Sequence, residues 1–180
     1  MSDHIRSTSK FLSLLLRHNP GKIGLTLDKN GWADVEELIT RARGNGRKLD
    51  MVLLEKVVAE NDKKRFSFNE SKTMIRANQG HSIKVDVELT PTVPPETLYH
   101  GTAERFMESI KSKGLVKGKR LHVHLSAEHT TAVTVGKRHG SPVVLEVDSK
   151  NMYNDGFTFY LSENGVWLTD SIPVKYLRFD

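Results

Sequence analysis

Hydrophobic residues recur every three or four positions in the first half of the chain, and this spacing predicts helices. The first predicted helix starts at Ser7 or Thr8, whose hydroxyl groups can cap it, and must end before Pro20. A second is predicted from Asp34, which begins an Asp-x-x-Glu capping pattern, to Gly44.

A third helix is predicted from Asp50 to about Glu60, and alternating residues after it predict a β-hairpin. The two strands of this hairpin are residues 65–70 and 73–77. Three helices followed by a hairpin is the order of a winged-helix module. Many such modules bind nucleic acid and others bind protein, so the order alone leaves the function open.

The second half alternates short strands with helices and predicts a β-rich α+β fold. It contains neither a GxGxxG nor a GxxxxGK[ST] pattern, so ordinary Rossmann and P-loop nucleotide sites are not supported. The predicted elements are strands at 98–102, 121–126, 142–147 and 174–179, helices at 103–113 and 127–137, and a hairpin at 156–168.

Three prolines between residues 90 and 96 mark a boundary, because dense prolines break both helices and central strands. The sequence predicts an N-terminal lobe at residues 1–88, a proline-rich linker at 89–97 and a C-terminal lobe at 98–180. Charge follows a similar division. The first 90 residues carry 16 Lys and Arg against 12 Asp and Glu, and the last 90 carry 11 against 10. The basic excess favours an anionic partner for the first lobe.

The composition excludes several classes of protein. The 180 residues include no cysteine, which rules out disulfides, thiolate metal sites and cysteine nucleophiles. No apolar run approaches the roughly 20 residues of a membrane span, and the N-terminus lacks the pattern of a signal peptide. We therefore expect a cytoplasmic protein without a membrane partner. We also expect a monomer, since each lobe needs the surface of the other.

Two explanations fit Arg17 and His18 at the end of the first predicted helix. Cations near a helix C-terminus are favourable by about 0.3–1 kcal/mol at a surface. A guanidinium fork beside an imidazole is also an anion site. Arg65 opens the predicted hairpin and could join them, although the sequence alone does not bring the three groups together.

Two further groups of polar residues are not decisive on their own. One group lies at the end of the second predicted helix and just after it, and consists of Arg41, Arg43 and Lys48. These residues either contact phosphates or form an ordinary solvated surface. The residues alone favour the solvated surface. His122 and His124 alternate onto one strand face, but a metal site needs further ligands, so no metal is predicted.

Eight segments, taken in order, resemble the RNA 2′-phosphotransferase family, whose members remove an internal 2′-phosphate from tRNA using NAD. The segments extend from Ser9 to about Asp170 and cover nearly the whole chain. Each segment alone is a weak signal of the family, whereas all eight in the family's order are a specific signal of it. They are SKFLSLLLRHNP, GWADVEELI, KKRFSF, IRANQGHS, LYHGT, HVHLS, VGKRHGSPVVLEV and NGVWLTD.

This resemblance implies a winged-helix RNA-binding lobe, then an ADP-ribosyltransferase-like NAD-binding lobe, with the active site in the cleft between them. It also implies roles for individual residues. The implied catalytic residues are Arg17, His18, Arg65 and Arg138. The implied NAD contacts are His100, then Gly101 and Thr102 in a binding turn, and Ser126 and Gly136. The implied RNA contacts are Arg76, Gln79 and His81. The basic residues Arg41, Arg43 and Lys48 are added to these as candidates because of their charge.

The implied reaction consumes NAD in two steps. The RNA 2′-phosphate is first ADP-ribosylated with release of nicotinamide, and the intermediate then gives 2′-hydroxyl RNA and ADP-ribose 1″,2″-cyclic phosphate. Two other functions remain open. One is an ADP-ribosyltransferase that acts on nucleic-acid ends or small molecules and stops after the first step. The other is a non-catalytic winged-helix regulator that senses NAD. The resemblance favours full phosphate removal, as in tRNA splicing or RNA repair.

Overall fold

The computed structural model describes residues 3–60 and 64–179. The chain forms two compact units, Met1–Glu88 and Leu89–Asp180. Residues 89–97, predicted as a linker, belong to the second unit, where the Thr92 N–H donates to the Phe159 carbonyl 2.8 Å away. The assignment of one unit to RNA and the other to NAD stays a prediction.

Two helices of the first unit begin at side-chain caps. The Asp34 carboxylate accepts from the Glu37 N–H at 2.8 Å, which confirms the predicted capping pattern, and Asp50 accepts from the Leu53 N–H at 2.8 Å. The helices are α1 (Asp3–Arg17), α2 (Val35–Gly44) and α3 (Met51–Ala59), with a 3₁₀ helix at Pro20–Ile23.

The predicted start of α1 at Ser7 or Thr8 is wrong, because both residues lie inside the helix. The Thr8 hydroxyl donates to the His4 carbonyl at 2.9 Å. Ser and Thr can satisfy their hydroxyl groups in this way within a helix, so their presence does not by itself mark its start.

The predicted hairpin of the first unit is confirmed and gains a third strand. The strands are β1 (Ala33–Asp34), β2 (Phe66–Phe68) and β3 (Met74–Ala77), antiparallel in the order β1-β3-β2. Two residues are too short for an alternating pattern, so β1 was not predictable. Helices and sheet share one core, whose fully buried members include Leu12, Leu15, Leu38, Leu54 and Ile75.

The second unit mixes helices with short antiparallel strands. Its helices are α4 (Met107–Lys113), α5 (His129–Gly136) and α6 (Ser149–Asn154), with 3₁₀ helices at Glu104–Phe106 and Val174–Tyr176. Its strands are β4 (Leu98–Ala103), β5 (Leu115–Val116), β6 (Val123–Leu125), β7 (Pro142–Val147), β8 (Tyr160–Leu161), β9 (Trp167–Thr169), β10 (Ser171–Ile172) and β11 (Leu177–Arg178).

These strands form sheets in the orders β11-β7-β4, β6-β9-β8 and β10-β5. A bridge between Tyr99 and Ser126 links β4 to the end of β6, and Phe159 and Met152 are fully buried in the core of the unit. The helix and strand content confirms the predicted α+β class. The hairpin of β8 and β9 is also confirmed, whereas α6 was not predicted.

Two glycines allow β4 and α5 to pack closely. A Cβ added to Gly101 would lie 1.9 Å from the Ala132 carbonyl oxygen, and one added to Gly136 would lie 2.6 Å from the Thr102 carbonyl oxygen. Gly101 and Gly136 therefore have a packing role. The turn predicted at Gly101 and Thr102 is wrong, because both lie within β4.

We predict that Gly101→Ala lowers the free energy of unfolding by about 3 kcal/mol, because the added methyl group forces α5 away from β4. Thermal and denaturant unfolding of the full chain measure this loss. Gly44→Ala is the matched control, since a Cβ there has no atom within 4 Å, and it should be neutral or slightly stabilising. Unchanged stability with weakened NAD binding would instead favour a direct contact of residue 101 with NAD.

Candidate active site

The end of α1 is held by a segment that follows β3. The Ser82 N–H donates to the Arg17 carbonyl at 2.9 Å, and the Ser82 hydroxyl shares a hydrogen bond with His18 Nδ1 at 2.8 Å. Gly80, at φ 86°, packs against Arg17, since a Cβ there would lie 3.5 Å from an Arg17 guanidinium nitrogen. One short segment thus fixes the orientation of both Arg17 and His18.

Asn78, in the same segment, fixes the backbone at Arg65. Its N–H donates to the Arg65 carbonyl at 2.9 Å, and its buried side-chain amide donates to the Lys64 carbonyl at 2.6 Å. Lys64 has a φ of 39°, which is unfavourable for a residue with a side chain. The two hydrogen bonds therefore support a strained turn directly before Arg65.

Three of the four predicted catalytic residues line one groove of about 540 Å³ in the first unit. This α1 groove is lined by Arg17, His18 and Arg65 and continues along α1 past Lys10 and Arg6. Two guanidinium groups and an imidazole are hydrogen-bond donors of the kind that bind a phosphate. The fourth predicted residue, Arg138, lies in the second unit.

His81 is buried close to this site, with 1% of its surface exposed. Burial, and then the positive charges of Arg17, His18 and Arg76, lower the pKa of His81 to about 4. Its ring is therefore neutral at pH 7, and its buried Nε2 has no hydrogen-bond partner among residues 3–60 and 64–179. This position leaves no surface for the predicted contact between His81 and RNA.

We predict that the imidazole of His81 stays neutral as the pH falls from about 7 to 5, where an unfolded histidine would protonate. The unfolded state then binds one more proton, so the free energy of unfolding falls by about 1.4 kcal/mol per pH unit between about pH 6 and 4.5. NMR titration of the His81 ring in the full chain checks the cause directly. A titration midpoint of the His81 ring near pH 6.5 would contradict the prediction.

Two of the other predicted RNA contacts of the first unit, Arg76 and Arg41, form ion pairs within the protein. Arg76 packs over the Trp32 ring at 4.4 Å and pairs with Glu88 at 3.2 Å. Arg41 pairs with Glu37 at 2.6 Å. Gln79, in the segment after β3, is half-buried.

Arg43 and Lys48 lie near a second concave surface. The Arg43 Nε–H donates to the Leu49 carbonyl at 2.8 Å, so this arginine shapes the loop after α2. Lys48 lines the same concavity and is exposed. The ammonium of Lys48 is thus available to solvent, whereas Arg43 uses one of its donors for a backbone hydrogen bond.

His100 of the second unit has a defined tautomer. Its Nδ1 lies 2.9 Å from the His124 carbonyl, and because a carbonyl only accepts, Nδ1 carries the proton and Nε2 keeps a lone pair. Desolvation by burial is the main cause that lowers the pKa of His100. A neutral ring with an accepting Nε2 suits a hydroxyl donor, such as those of a ribose.

The remaining predicted residues of the second unit lie near β4. The backbone of Ser126 exchanges hydrogen bonds with Tyr99 at 2.8 and 2.9 Å, next to His100 in the chain. Thr102 is buried, whereas Arg138 is exposed directly after α5. Arg138 therefore presents its guanidinium to solvent.

Metal-binding and membrane-spanning features were sought in residues 3–60 and 64–179. Within these ranges no three His, Cys, Asp or Glu side chains are grouped so that they could hold a metal ion. No helix there combines the length and apolar character needed to cross a membrane. His122 packs edge-on against Tyr160, with ring centres 5.5 Å apart.

Comparison with known proteins gives consistent matches. The family model described as "RNA 2'-phosphotransferase, Tpt1 / KptA family" matches residues 3–171. A Flavobacterium johnsoniae protein named "Probable RNA 2'-phosphotransferase" is 60% identical over 180 residues, covering 99% of both chains. A protein of the same name from Agrobacterium fabrum is 57% identical over 171 residues, 95% of this chain and 92% of its own. A third protein of this name, from Pseudomonas aeruginosa (strain PAO1), is 55% identical over 172 residues, which are 95% of this chain and 94% of its own.

Proposed function

The chain belongs to the RNA 2′-phosphotransferase family of transferases, and from this we propose that it removes an internal 2′-phosphate from RNA with NAD as a consumed co-substrate. The observation that carries the proposal is the α1 groove, where Arg17, His18 and Arg65 line one concave surface. A dianionic phosphate is the ligand that this cluster of donors suits best.

The architecture of each unit supports a division of labour. The element order α1, β1, α2, α3, β2, β3 and the strand order β1-β3-β2 are compatible with a winged-helix module, which supports our assignment of residues 1–88 to RNA binding. The β-rich second unit, residues 98–180 with the preceding linker at 89–97, is assigned to NAD in an ADP-ribosyltransferase-like fold. A cytoplasmic monomer stays the prediction from sequence.

In the first proposed step, an oxygen of the RNA 2′-phosphate bonds to the anomeric carbon of the nicotinamide riboside. The carbon–nitrogen bond breaks, and its electron pair leaves with nicotinamide, which becomes neutral. The phosphate is already charged at neutral pH, so it needs no general base. Arg17, His18 and Arg65 orient it by hydrogen bonds to its other oxygens.

In the second proposed step, the adjacent ribose 2″-oxygen bonds to phosphorus, and the bond from phosphorus to the RNA 2′-oxygen breaks. The 2″-hydroxyl releases its proton to solvent, and the RNA 2′-oxygen gains one, which His18 can supply. Negative charge is concentrated on the phosphorus oxygens, so Arg138 is assigned to stabilise them with the other cations. The products are 2′-hydroxyl RNA and ADP-ribose 1″,2″-cyclic phosphate.

The second unit has residues that fit a nicotinamide dinucleotide. His100, with its accepting Nε2, would hold a ribose hydroxyl, and Thr102 and Ser126 lie beside it in β4 and at the end of β6. Gly101 and Gly136 contribute by close packing of β4 and α5.

The test is an RNA with one internal 2′-phosphate, incubated with the full chain with and without NAD. We expect nicotinamide release and loss of the 2′-phosphate only with NAD, and no nicotinamide release with a matched 2′-hydroxyl RNA. Nicotinamide release with a stable ADP-ribosylated product would indicate a transferase that stops after the first step. Binding of NAD without any reaction would indicate a regulator.

A further inference from the structure

The α1 groove extends beyond the proposed phosphate site. Arg6, Lys10, Ser13 and Arg17 stand at positions i, i+4, i+7 and i+11, which places them on one face of a helix. Arg6 and Lys10 are exposed. No role was predicted from the sequence for either residue.

Charge and shape indicate what this face binds. The groove carries the cations of Arg6, Lys10, Arg17 and Arg65. Arg6 also forms a long ion pair, 3.8 Å, with the fully exposed Asp3. A weak pair at that distance and exposure screens little of the positive charge. Among the described residues, the lining of the groove therefore carries a net positive charge from the proposed phosphate site to Arg6.

We propose that this face of α1 binds the backbone phosphates of the RNA strand flanking the 2′-phosphate, with Lys10 nearest and Arg6 further along. The inference rests on the proposed function, since the strand is anchored by its 2′-phosphate at Arg17, His18 and Arg65. The partner is single-stranded RNA, because its backbone charges can follow a groove that is lined on one side by a single helix.

The geometry sets a length requirement on the RNA. A rise of 1.5 Å per residue puts Lys10 about 10 Å and Arg6 about 16 Å from Arg17 along the helix axis. A stacked strand advances about 3.4 Å per nucleotide, so these distances correspond to roughly three and five nucleotides. A trinucleotide with a central 2′-phosphate would fill the catalytic end of the groove and not reach Lys10.

The test compares two RNAs, a trinucleotide and a strand of about 12 nucleotides, each with one internal 2′-phosphate. For the longer RNA we expect the double variant Arg6→Gln/Lys10→Gln to raise the dissociation constant about 10-fold, measured by fluorescence anisotropy without NAD. The slope of log affinity against log salt should fall by about 1.4, from two lost phosphate contacts. The double variant should bind and convert the trinucleotide as the wild type does.

Lys56→Gln is the matched control, an exposed helical lysine of α3 in the same unit, and it should leave both RNAs unaffected. Equal binding of the longer RNA by the double variant and the wild type would overturn the inference. An equal loss for both RNAs would also overturn it, since the effect would then be at the 2′-phosphate. If the wild type converts neither RNA, the proposed function itself fails.

Discussion

Arg17→Lys is expected to lower the single-turnover rate of 2′-phosphate removal about 10²–10³-fold, although it preserves the charge. A guanidinium presents a rigid, planar fork of donors that can bind two phosphate oxygens at once, whereas an ammonium is a point charge that cannot. The loss should appear in the rate at saturating NAD and RNA. Rapid quench with radiolabelled 2′-phosphate measures it.

The structure explains why the side chain at residue 17 is sensitive to such a change. Ser82 holds the Arg17 carbonyl at 2.9 Å, and Gly80 packs against the guanidinium group. These contacts orient a fork before the substrate arrives, which a more flexible lysine would lose. Arg178→Lys, at an exposed arginine near the C-terminus, is the control and should retain full activity. A folded Arg17→Lys protein with a wild-type rate would refute the bidentate role.

Arg138→Ala is expected to uncouple the two steps and accumulate the ADP-ribosylated RNA. In the first step the phosphate is a nucleophile that already bears its charge, so removal of one cation should slow nicotinamide release less than about 10-fold. In the second step phosphorus is the electrophile and its oxygens gain charge. Loss of an arginine in such a transition state costs about 10³-fold or more.

Two signals from one reaction measure this difference: nicotinamide release for the first step and the 2′-hydroxyl RNA for the second. Lys137→Ala is the matched control, because it removes the neighbouring exposed cation, and both steps should keep their wild-type rates. If Arg138→Ala lowers the rates of both steps equally, Arg138 does not act mainly in the second step.

Much of the fold was predictable where local signals are strong. The Asp-x-x-Glu pattern at Asp34 correctly located the start of α2, and alternation located the hairpin of β2 and β3. The start of α1 was not predictable from Ser7 and Thr8, since a hydroxyl can bond within the helix as readily as cap it. Strand β1 depends on pairing with a distant strand, which no local pattern reveals.

The residues of the candidate site were likewise predictable only in part. The Arg17–His18 pair stood out because it ends an apolar helix, and Arg65 was a candidate because it opens the predicted hairpin. The resemblance added Arg138. The roles of the segment after β3 were not predictable, since they depend on contacts between residues far apart in the chain. Asn78 reaches Arg65 across 13 positions, and Ser82 reaches His18 across 64. Charge left RNA contact open at Arg41 as one of two explanations, and the structure has an ion pair there with Glu37.

The fate of the 2′-phosphorus tests the central claim most directly. An RNA with a radiolabelled internal 2′-phosphate is reacted in a single turnover with the full chain and NAD. The proposed function requires that all of the lost label appears in ADP-ribose 1″,2″-cyclic phosphate, with one nicotinamide released per phosphate removed. Release of the label as inorganic phosphate, or its loss without NAD, would contradict it.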